Sequence, residues 1–346
     1  MCESAMLHCP PQMYIEKNWR RDDKLMEDST DIAQSTKLYA LLLKLRPLER
    51  GTIMPFSGEL VHGAWMNWLR ETAPDVADRL HEGNRRRLFT CSSLQFPYTS
   101  ERIMQAQREN VHLPLDPQKS YTVRLTLLHG ELFQLLYTMI MARNERTSGT
   151  SQYPFIQIGK QSFLLEEVIS HPDDPSGWTG FTTCETLVEQ ARTRRLLPAQ
   201  PLELEFASLT AFNRIHHSSR PYGNHYARLP LPSYVFAGLA SRWQEIAPPA
   251  LTHVVQLQRI EAYIEAQGVI IDDYQLQTHS AHFAQHTQPG FVGTCRYLLR
   301  GPDAPPTAEQ PLTLRQQILL LSWLAFYTGV GYKPAMGMGQ TRALPG

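Results

Sequence analysis

Residues 39–45 (YALLLKL) form a short, almost wholly apolar run, which is typical of a buried strand. Pro47 and Gly51 follow closely, and both residue types interrupt regular structure. Farther along, apolar side chains recur with the spacing of one helix face. They are Val61, Ala64, Trp65, Trp68 and Leu69. The pattern therefore predicts a core strand followed by an amphipathic helix.

Strand and helix patterns continue through the first half of the chain. Pro74 suits the first turn of a second, short helix, which Gly83 ends just after His81. Residues 121–128 alternate apolar and polar side chains, as a strand does, with Arg124 on the polar face. The other predicted elements are strands at 88–94, 155–158 and 163–168 and a helix at 131–143. Their β-α-β-β-α-β order is that of a ferredoxin-like fold.

The second half repeats this order of elements. It is predicted to contain strands at 202–209, 262–271 and 290–299, helices at 234–246 and 312–328, and a short final strand. We therefore expect an α+β protein built of two tandem ferredoxin-like (RRM-like) β-α-β-β-α-β domains. The predicted boundaries are an N-terminal extension at 1–37, a first domain at 38–190, a linker at 191–200 and a second domain at 201–346.

Composition limits the classes of protein that need to be considered. The chain has 346 residues, with 33 basic and 33 acidic side chains, so any binding to nucleic acid must come from local basic patches. The longest apolar stretch, 318–330, is too short to span a membrane. Five scattered cysteines without a CxxC pair predict neither a disulfide framework nor a zinc site. With no basic-then-apolar secretory segment at the N-terminus, we expect a cytoplasmic protein.

The segment 329–339 (GVGYKPAMGMG) carries two GxG pairs directly after an apolar helix. Glycines at this density let the backbone approach a ligand and expose N–H groups to phosphate. Lys333 lacks the following Ser or Thr of a Walker loop, and Pro334 stands where a dinucleotide fingerprint needs glycine. A nucleotide cofactor is therefore not expected. The alternative is a plain turn between helix and strand.

A second cluster places His81 at a helix end and three arginines, Arg85, Arg86 and Arg87, before a strand. An imidazole exchanges protons near neutral pH, and neighbouring arginines hold phosphate, so the cluster suits phosphodiester cleavage. The alternative is a solvated helix end with a solubilising loop. No HExxH motif, DxD-type acidic pair or Cys/His quartet is present, so the sequence favours chemistry without a metal.

Two further groups of side chains are weaker candidates. His62 and Met66 lie one helical turn apart and could face the same groove as His81, although packing is the simpler role for His62. Residues 216–228 (HHSSRPYGNHYAR) mix His, Arg and Tyr as RNA-binding loops do, or form a polar connector.

The glycine-rich segment, extended as GVGYKPAMGMGQTR, resembles the signature that ends the CRISPR repeat-processing endoribonucleases of the RAMP superfamily. The segments HGAWMNWL (62–69) and DRLHEGNRRRLFTCSSL (78–94) are similar to the first helix and the histidine region of that family. FASLTAF (206–212) and PLPSYVFAGLASRW (230–243) are similar to the opening of its second domain. The resemblance covers most of residues 38–342.

This resemblance implies two ferredoxin-like domains that cut precursor CRISPR RNA within each repeat, without metal or cofactor. The ribose 2′-OH attacks the adjacent phosphate and leaves a 5′-hydroxyl and a 2′,3′-cyclic or 3′-phosphate. By position, His81 is the implied acid/base residue, and Arg87 stands where some members have a lysine. Met66 stands where some members have a catalytic tyrosine. The candidate RNA contacts are Arg85, Arg86, Arg192, Arg194, Arg195, Arg214, Arg220, Gly329, Gly331, Lys333, Gly337 and Gly339.

The expected partner is CRISPR repeat RNA, with other subunits of a CRISPR effector complex as further partners. Because Met66 replaces the tyrosine, one alternative is a non-catalytic subunit that caps the repeat end of guide RNA. Another is a structural subunit that binds guide RNA loosely along its length. The histidine beside an arginine cluster argues against this structural subunit.

Overall fold

A computed structural model describes residues 37–81, 87–146, 154–197, 199–213, 226–283, 286–301 and 304–345. At His81 and at residues 142–146 it describes the backbone only. The predicted extension at 1–37 lies outside these ranges except for its last residue, Lys37.

The first half of the chain contains more elements than the alternation of patterns predicts. Its strands are β1 (Lys37–Pro47), β2 (Gly51–Ile53), β3 (Phe89–Cys91), β4 (Leu113–Leu115), β5 (Tyr121–Leu127), β6 (Phe155–Ile158), β7 (Gln161–Ile169) and β8 (Gly180–Thr183). Its helices are α1 (Gly58–Thr72), α2 (Pro74–His81), α3 (Ser100–Glu109), α4 (Gly130–Arg146) and α5 (Cys184–Thr193). The sequence patterns did not predict α3 or α5.

The main sheet of this half has the strand order β3-β5-β1-β7-β6, with antiparallel pairing throughout. Counting β1, β3, β5 and β7 as the four strands of the β-α-β-β-α-β unit, the first strand lies between the third and the fourth. On one face of β1, Leu41, Leu43 and Leu45 are buried in a core that also contains Trp65 and Trp68 of α1.

The second half contains strands β9 (Gln200–Thr210), β10 (Phe212–Asn213), β11 (Tyr226–Ala227), β12 (Val269–His282), β13 (Thr287–Leu299) and β14 (Thr341–Ala343). Its helices are α6 (Pro232–Ile246), α7 (Leu257–Glu265) and α8 (Leu314–Thr328), with 3₁₀ turns at Thr252–Val254 and Pro334–Met336. The sheet order β12-β13-β9-β14 again places the first strand between the third and the fourth. The expectation of an α+β protein with two ferredoxin-like units is confirmed.

One predicted strand begins too early. The pattern predicts a strand at 262–271, but α7 continues to Glu265 and β12 begins only at Val269, so the prediction is wrong for the first part of this segment and correct for 269–271. Ile260, Tyr263 and Ile264 have the i, i+3, i+4 spacing of a helix face and are buried, so helical burial determines the local structure. Gly268 lies between the two elements, at a position where a Cβ would lie 2.0 Å from the Tyr263 ring.

The polar face of β5 packs against the second half instead of facing water. Arg124 is 1% exposed, and its guanidinium donates from Nε to the Trp178 carbonyl (2.9 Å) and from Nη2 to the Phe326 carbonyl (2.7 Å). Thr126 Oγ1 donates to the Tyr327 carbonyl at 2.6 Å. Burial lowers the pKa of Arg124 to about 9, which leaves it a cation at neutral pH. These bonds hold the C-terminal turn of α8, where cations are favoured, against the first sheet.

The predicted linker at 191–200 overlaps the last turn of α5, which ends at Thr193, and β9 begins at Gln200. The domain boundaries stay a prediction. In the described part of the chain, no helix combines the length and the apolar composition that crossing a membrane requires.

Candidate functional site

The glycine-rich loop (residues 329–339) leaves the C-terminus of α8 and folds against the backbone of the second half. Gly331 has φ +83°, and a Cβ on it would lie 2.5 Å from the Ala211 carbonyl oxygen. Gly339 has φ +69°, and its Cβ would lie 2.0 Å from the carbonyl oxygen of Val330. A side chain is excluded at both positions by conformation and by space. The close approach expected here is therefore made, at these two glycines, to the chain's own backbone.

Several N–H groups of the loop are used inside the protein. Val330 N donates to Gly339 O (2.8 Å), Tyr332 N to Ala211 O (2.8 Å) and Gly339 N to Leu209 O (2.9 Å). These three N–H groups already donate to carbonyl oxygens of the protein, so other groups of the loop would have to hold a phosphate.

The same loop also contacts the first half through its 3₁₀ turn. The Ala335 carbonyl accepts from the Cys91 thiol (2.9 Å) and from His62 Nδ1 (3.0 Å). Burial raises the pKa of the Cys91 thiol, although the Gly337 N–H bonded to it acts in the opposite direction, so the sulfur stays protonated and can donate. A Cβ on Gly58 would lie 2.2 Å from Met336 O, which shows how closely the turn approaches the start of α1.

A cleft of about 680 Å³ opens beside this loop, between the two halves of the protein. The first half contributes His62, Arg87 and Thr90, the second contributes Asn213 and Tyr234, and the loop contributes Gly329, Gly331, Tyr332 and Lys333. The residues described as lining the cleft include three cations, Arg87, Arg242 and Lys333, and no Asp or Glu. Such a lining suits a phosphate-bearing ligand.

The cations of the cleft are positioned by neighbouring groups. Lys333 has a left-handed backbone (φ +52°), and its ammonium lies 4.4 Å from the centre of the Phe283 ring. Burial lowers the pKa of Lys333, while the Coulomb attraction of Glu59 acts in the opposite direction. The Arg87 carbonyl accepts from Arg242 Nη2, and Arg242 Nη1 donates to Glu245 at 2.7 Å. Arg242 therefore ties α6 to the segment that enters β3.

Arg242 and Tyr234 were not predicted as site residues. Tyr234, Gly238 and Arg242 lie at i, i+4 and i+8 of α6, so they share the helix face that lines the cleft. The available signal in the sequence was a tyrosine and an arginine eight residues apart, on one face of the predicted helix.

The predicted site residues do not all come together. Arg87, Gly329, Gly331 and Lys333 lie together on the cleft, whereas Gly337 lines a separate groove. Arg192, Arg194 and Arg195 lie at the end of α5 and just beyond it, away from the cleft lining. The predictions for Arg85, Arg86, Arg214 and Arg220 fall outside the described residues.

His81 is the last described residue of α2, which follows α1 directly and buries Ala77 and Leu80. Residues 82–86 lie outside the described residues, so the predicted helix end and the role of His81 both stay predictions. His62 lines the cleft and stacks on Phe89 at 5.5 Å between ring centres. Met66 is 5% exposed in the first core, so of these two residues only His62 faces the groove. Among the described side chains, no three His, Cys, Asp or Glu residues come together as a metal site requires.

Family models match both halves of the chain. The model of the CRISPR Cas6 N-terminal domain matches residues 38–189, and the model of the CRISPR-associated endoribonuclease Cas6 matches residues 204–341. Together these stretches cover more than four fifths of the sequence. The chain belongs to the Cas6 family. No curated protein matches it in sequence.

Solved structures share the Cas6 fold at low sequence identity. A Cas6 product complex is 21% identical with a TM-score of 0.63, over 89% of this chain and 100% of that one. Thermus thermophilus Cas6 is 20% identical with a TM-score of 0.57, over 90% of this chain and 99% of that one. A Cas6-related protein from Pyrococcus furiosus is 10% identical with a TM-score of 0.51, over 90% and 98%. These likenesses support the two-domain fold.

Proposed function

We propose that this Cas6 protein is an endoribonuclease that binds CRISPR repeat RNA and cuts precursor CRISPR RNA within each repeat. One observation carries the proposal: Arg87 of the first half and Lys333 of the glycine-rich loop lie on one cleft whose described lining has no carboxylate. Two cations from separate domains can hold a phosphate between them. In a chain of an endoribonuclease family, that phosphate is the one at the scissile bond. Solved Cas6 structures with a product and with a substrate mimic support RNA as the ligand.

The reaction that we propose is metal-independent transesterification. The 2′-oxygen forms a bond to the adjacent phosphorus while the bond to the 5′-oxygen breaks, which gives a 2′,3′-cyclic phosphate and a 5′-hydroxyl. One proton leaves the 2′-OH and one is delivered to the 5′-oxygen. His81 would carry out proton transfer, because imidazole exchanges protons near neutral pH. Arg87 and Lys333 would stabilise the negative charge that develops on the phosphorane.

The second proton-transfer group does not come from the position where some family members have a tyrosine, because Met66 is there and is buried. His62 is the imidazole among the residues described on the cleft. Because a carbonyl oxygen only accepts, the bond to Ala335 places the proton of a neutral His62 on Nδ1 and makes Nε2 the basic nitrogen. We propose His62 as the partner of His81 in proton transfer.

The test mixes purified protein with its repeat RNA in EDTA, beside an RNA with a 2′-deoxy substitution at the scissile nucleotide. We expect cleavage of the all-ribose RNA only, with a 2′,3′-cyclic phosphate on the upstream product. Tight binding of both RNAs without cleavage would contradict the proposal and point to a capping subunit.

His81→Ala tests the assignment of the acid/base residue. We expect single-turnover cleavage to fall by about 10²- to 10⁴-fold, the usual contribution of general acid–base catalysis, with RNA affinity kept. His253→Ala is the matched control, because His253 is an exposed histidine outside the cleft lining. If His81→Ala cleaves at the wild-type rate, His81 is not the acid/base residue and the role passes to His62 or His216.

A further inference from the structure

A second groove, of about 290 Å³, lies where α3 of the first half approaches the edge of the second sheet. It shares no lining residue with the cleft that carries the proposed reaction. The lining residues are Gln107, Arg108, Arg228, Thr278, His279, Ser280 and His282.

The groove gathers positive charge without a counter-charge. Two arginines and two histidines line it, and its described lining contains no Asp or Glu. Within the part of the chain that the structure describes, neither Arg108 nor Arg228 makes an ion pair, and both are exposed. The carboxylate next in sequence to Arg108, that of Glu109, accepts from Gln105 Nε2 at 2.8 Å. Cations that converge from separate elements without a carboxylate make an anion site.

The groove also offers neutral donors in fixed positions. β12 is the edge strand of its sheet, and Thr278 and Ser280 add hydroxyl groups along that edge. His279 Nε2 lies 3.2 Å from Gln277 Oε1, and His282 Nδ1 lies 3.1 Å from Thr287 Oγ1, so both imidazoles are held by neighbours. Guanidinium and hydroxyl donors around one space match the several acceptor oxygens of a phosphate.

The groove adjoins another one. Gln107, His279 and Ser280 also line a groove of about 330 Å³, to which both halves contribute and which Phe56, Phe96 and Met104 border. A phosphate bound by Arg108 and Arg228 would therefore lie beside further open surface, as a phosphate within a polymer chain requires.

We propose that Arg108 and Arg228, with the polar edge of β12, bind a backbone phosphate of the RNA outside the cleavage cleft. This site rests on the proposed function for the identity of the polymer, while its anion binding does not depend on cleavage. The phosphate belongs to RNA that extends beyond the scissile nucleotide, and it would add affinity without taking part in the reaction.

The first test uses inorganic phosphate as the probe. The imidazole NMR resonances of His279 and His282 are followed in the full-length protein as phosphate is added at constant ionic strength. We expect saturable shifts in the wild type that are lost in Arg108→Gln and in Arg228→Gln. Arg102→Gln is the matched control, because Arg102 lies on the same helix but stacks over the Tyr98 ring at 4.2 Å. Shifts that are absent, or equal in all four proteins, would overturn the anion site.

The second test measures RNA affinity over a range of salt concentrations. We expect Arg108→Gln and Arg228→Gln each to weaken binding about tenfold and to lower the salt slope by about 0.7 to 0.9, the value of one phosphate contact. Cleavage of saturating RNA should stay at the wild-type rate. If phosphate shifts the histidines but RNA binding equals that of Arg102→Gln, the assignment to RNA is wrong. If RNA affinity falls as expected but no variant or wild type cleaves, the proposed reaction fails and this site stands.

Discussion

The substitution Gly339→Ala tests whether the glycine-rich loop stabilises the protein by packing against its own backbone. A methyl group at this position would lie 2.0 Å from the Val330 carbonyl oxygen and 3.0 Å from its carbon, both of them backbone atoms that no rotamer change can move. The residue also has φ +69°, a conformation that costs an L-residue about 1–2 kcal/mol.

To make room, Val330 has to move away from residue 339, which strains two hydrogen bonds. These are Val330 N to Gly339 O (2.8 Å) and Gly339 N to Leu209 O (2.9 Å). Each such bond contributes about 0.5–1.5 kcal/mol net. We therefore expect Gly339→Ala to lower the free energy of unfolding by about 3 kcal/mol or more, a large effect for a single methyl group.

Equilibrium unfolding in urea measures this loss, with Gly63→Ala as the control. Gly63 lies inside α1, and a Cβ there meets nothing within 4 Å, so the alanine should raise stability by up to about 1 kcal/mol. Losses of less than about 1 kcal/mol in Gly339→Ala would refute the packing role. The glycine would then be needed for contact with a ligand, and RNA affinity at a temperature where both variants are folded would show it.

Two further predictions concern the buried cation and the loop lysine. Arg124→Met leaves the Trp178 and Phe326 carbonyls without their guanidinium donor. Each unsatisfied carbonyl costs about 1–3 kcal/mol of stability, and part of this cost is offset because the variant no longer buries a charge. We expect a net loss of about 2–4 kcal/mol in urea unfolding; stability equal to wild type would show that the charge is not needed to hold α8. Because burial lowers the pKa of Lys333, its ammonium loses its proton at a lower pH than an exposed lysine, so RNA affinity should fall as pH rises on the alkaline side. In Lys333→Arg this fall should be much weaker, since a guanidinium stays charged; identical profiles would remove Lys333 from the contacts.

Local patterns predict the elements well where burial follows the period of a single element. The strand at 39–45 and the helix that carries Trp65 and Trp68 lie where their patterns place them, because both bury those side chains in their own half. The strand predicted at 262–271 begins too early because its apolar residues serve two elements, the face of α7 and the start of β12. A window across that boundary averages the two periods.

Such patterns do not predict contacts between residues in different halves of the chain. The alternation along β5 places Arg124 on the face that is predicted to meet solvent. Its hydrogen-bond partners nevertheless include the carbonyl of Phe326, about two hundred residues away. Arg242 reaches the Arg87 carbonyl in the same way. Spacing along one element cannot show that a second domain covers it. The cleft residues Arg87, Gly331 and Lys333 were therefore predictable, whereas the contacts that hold them in place were not.

The glycine-rich loop joins these supports to the candidate chemistry. It starts where Arg124 and Thr126 hold the end of α8, turns against Cys91 and His62 through Ala335, and places Lys333 on the cleft between these anchors. Substitution of a loop glycine therefore disturbs stability, the spacing of the two halves and the position of Lys333 together. Loss of cleavage in such a variant does not identify a ligand contact. Only variants that keep the anchors, such as Lys333→Arg, separate binding of phosphate from assembly of the cleft.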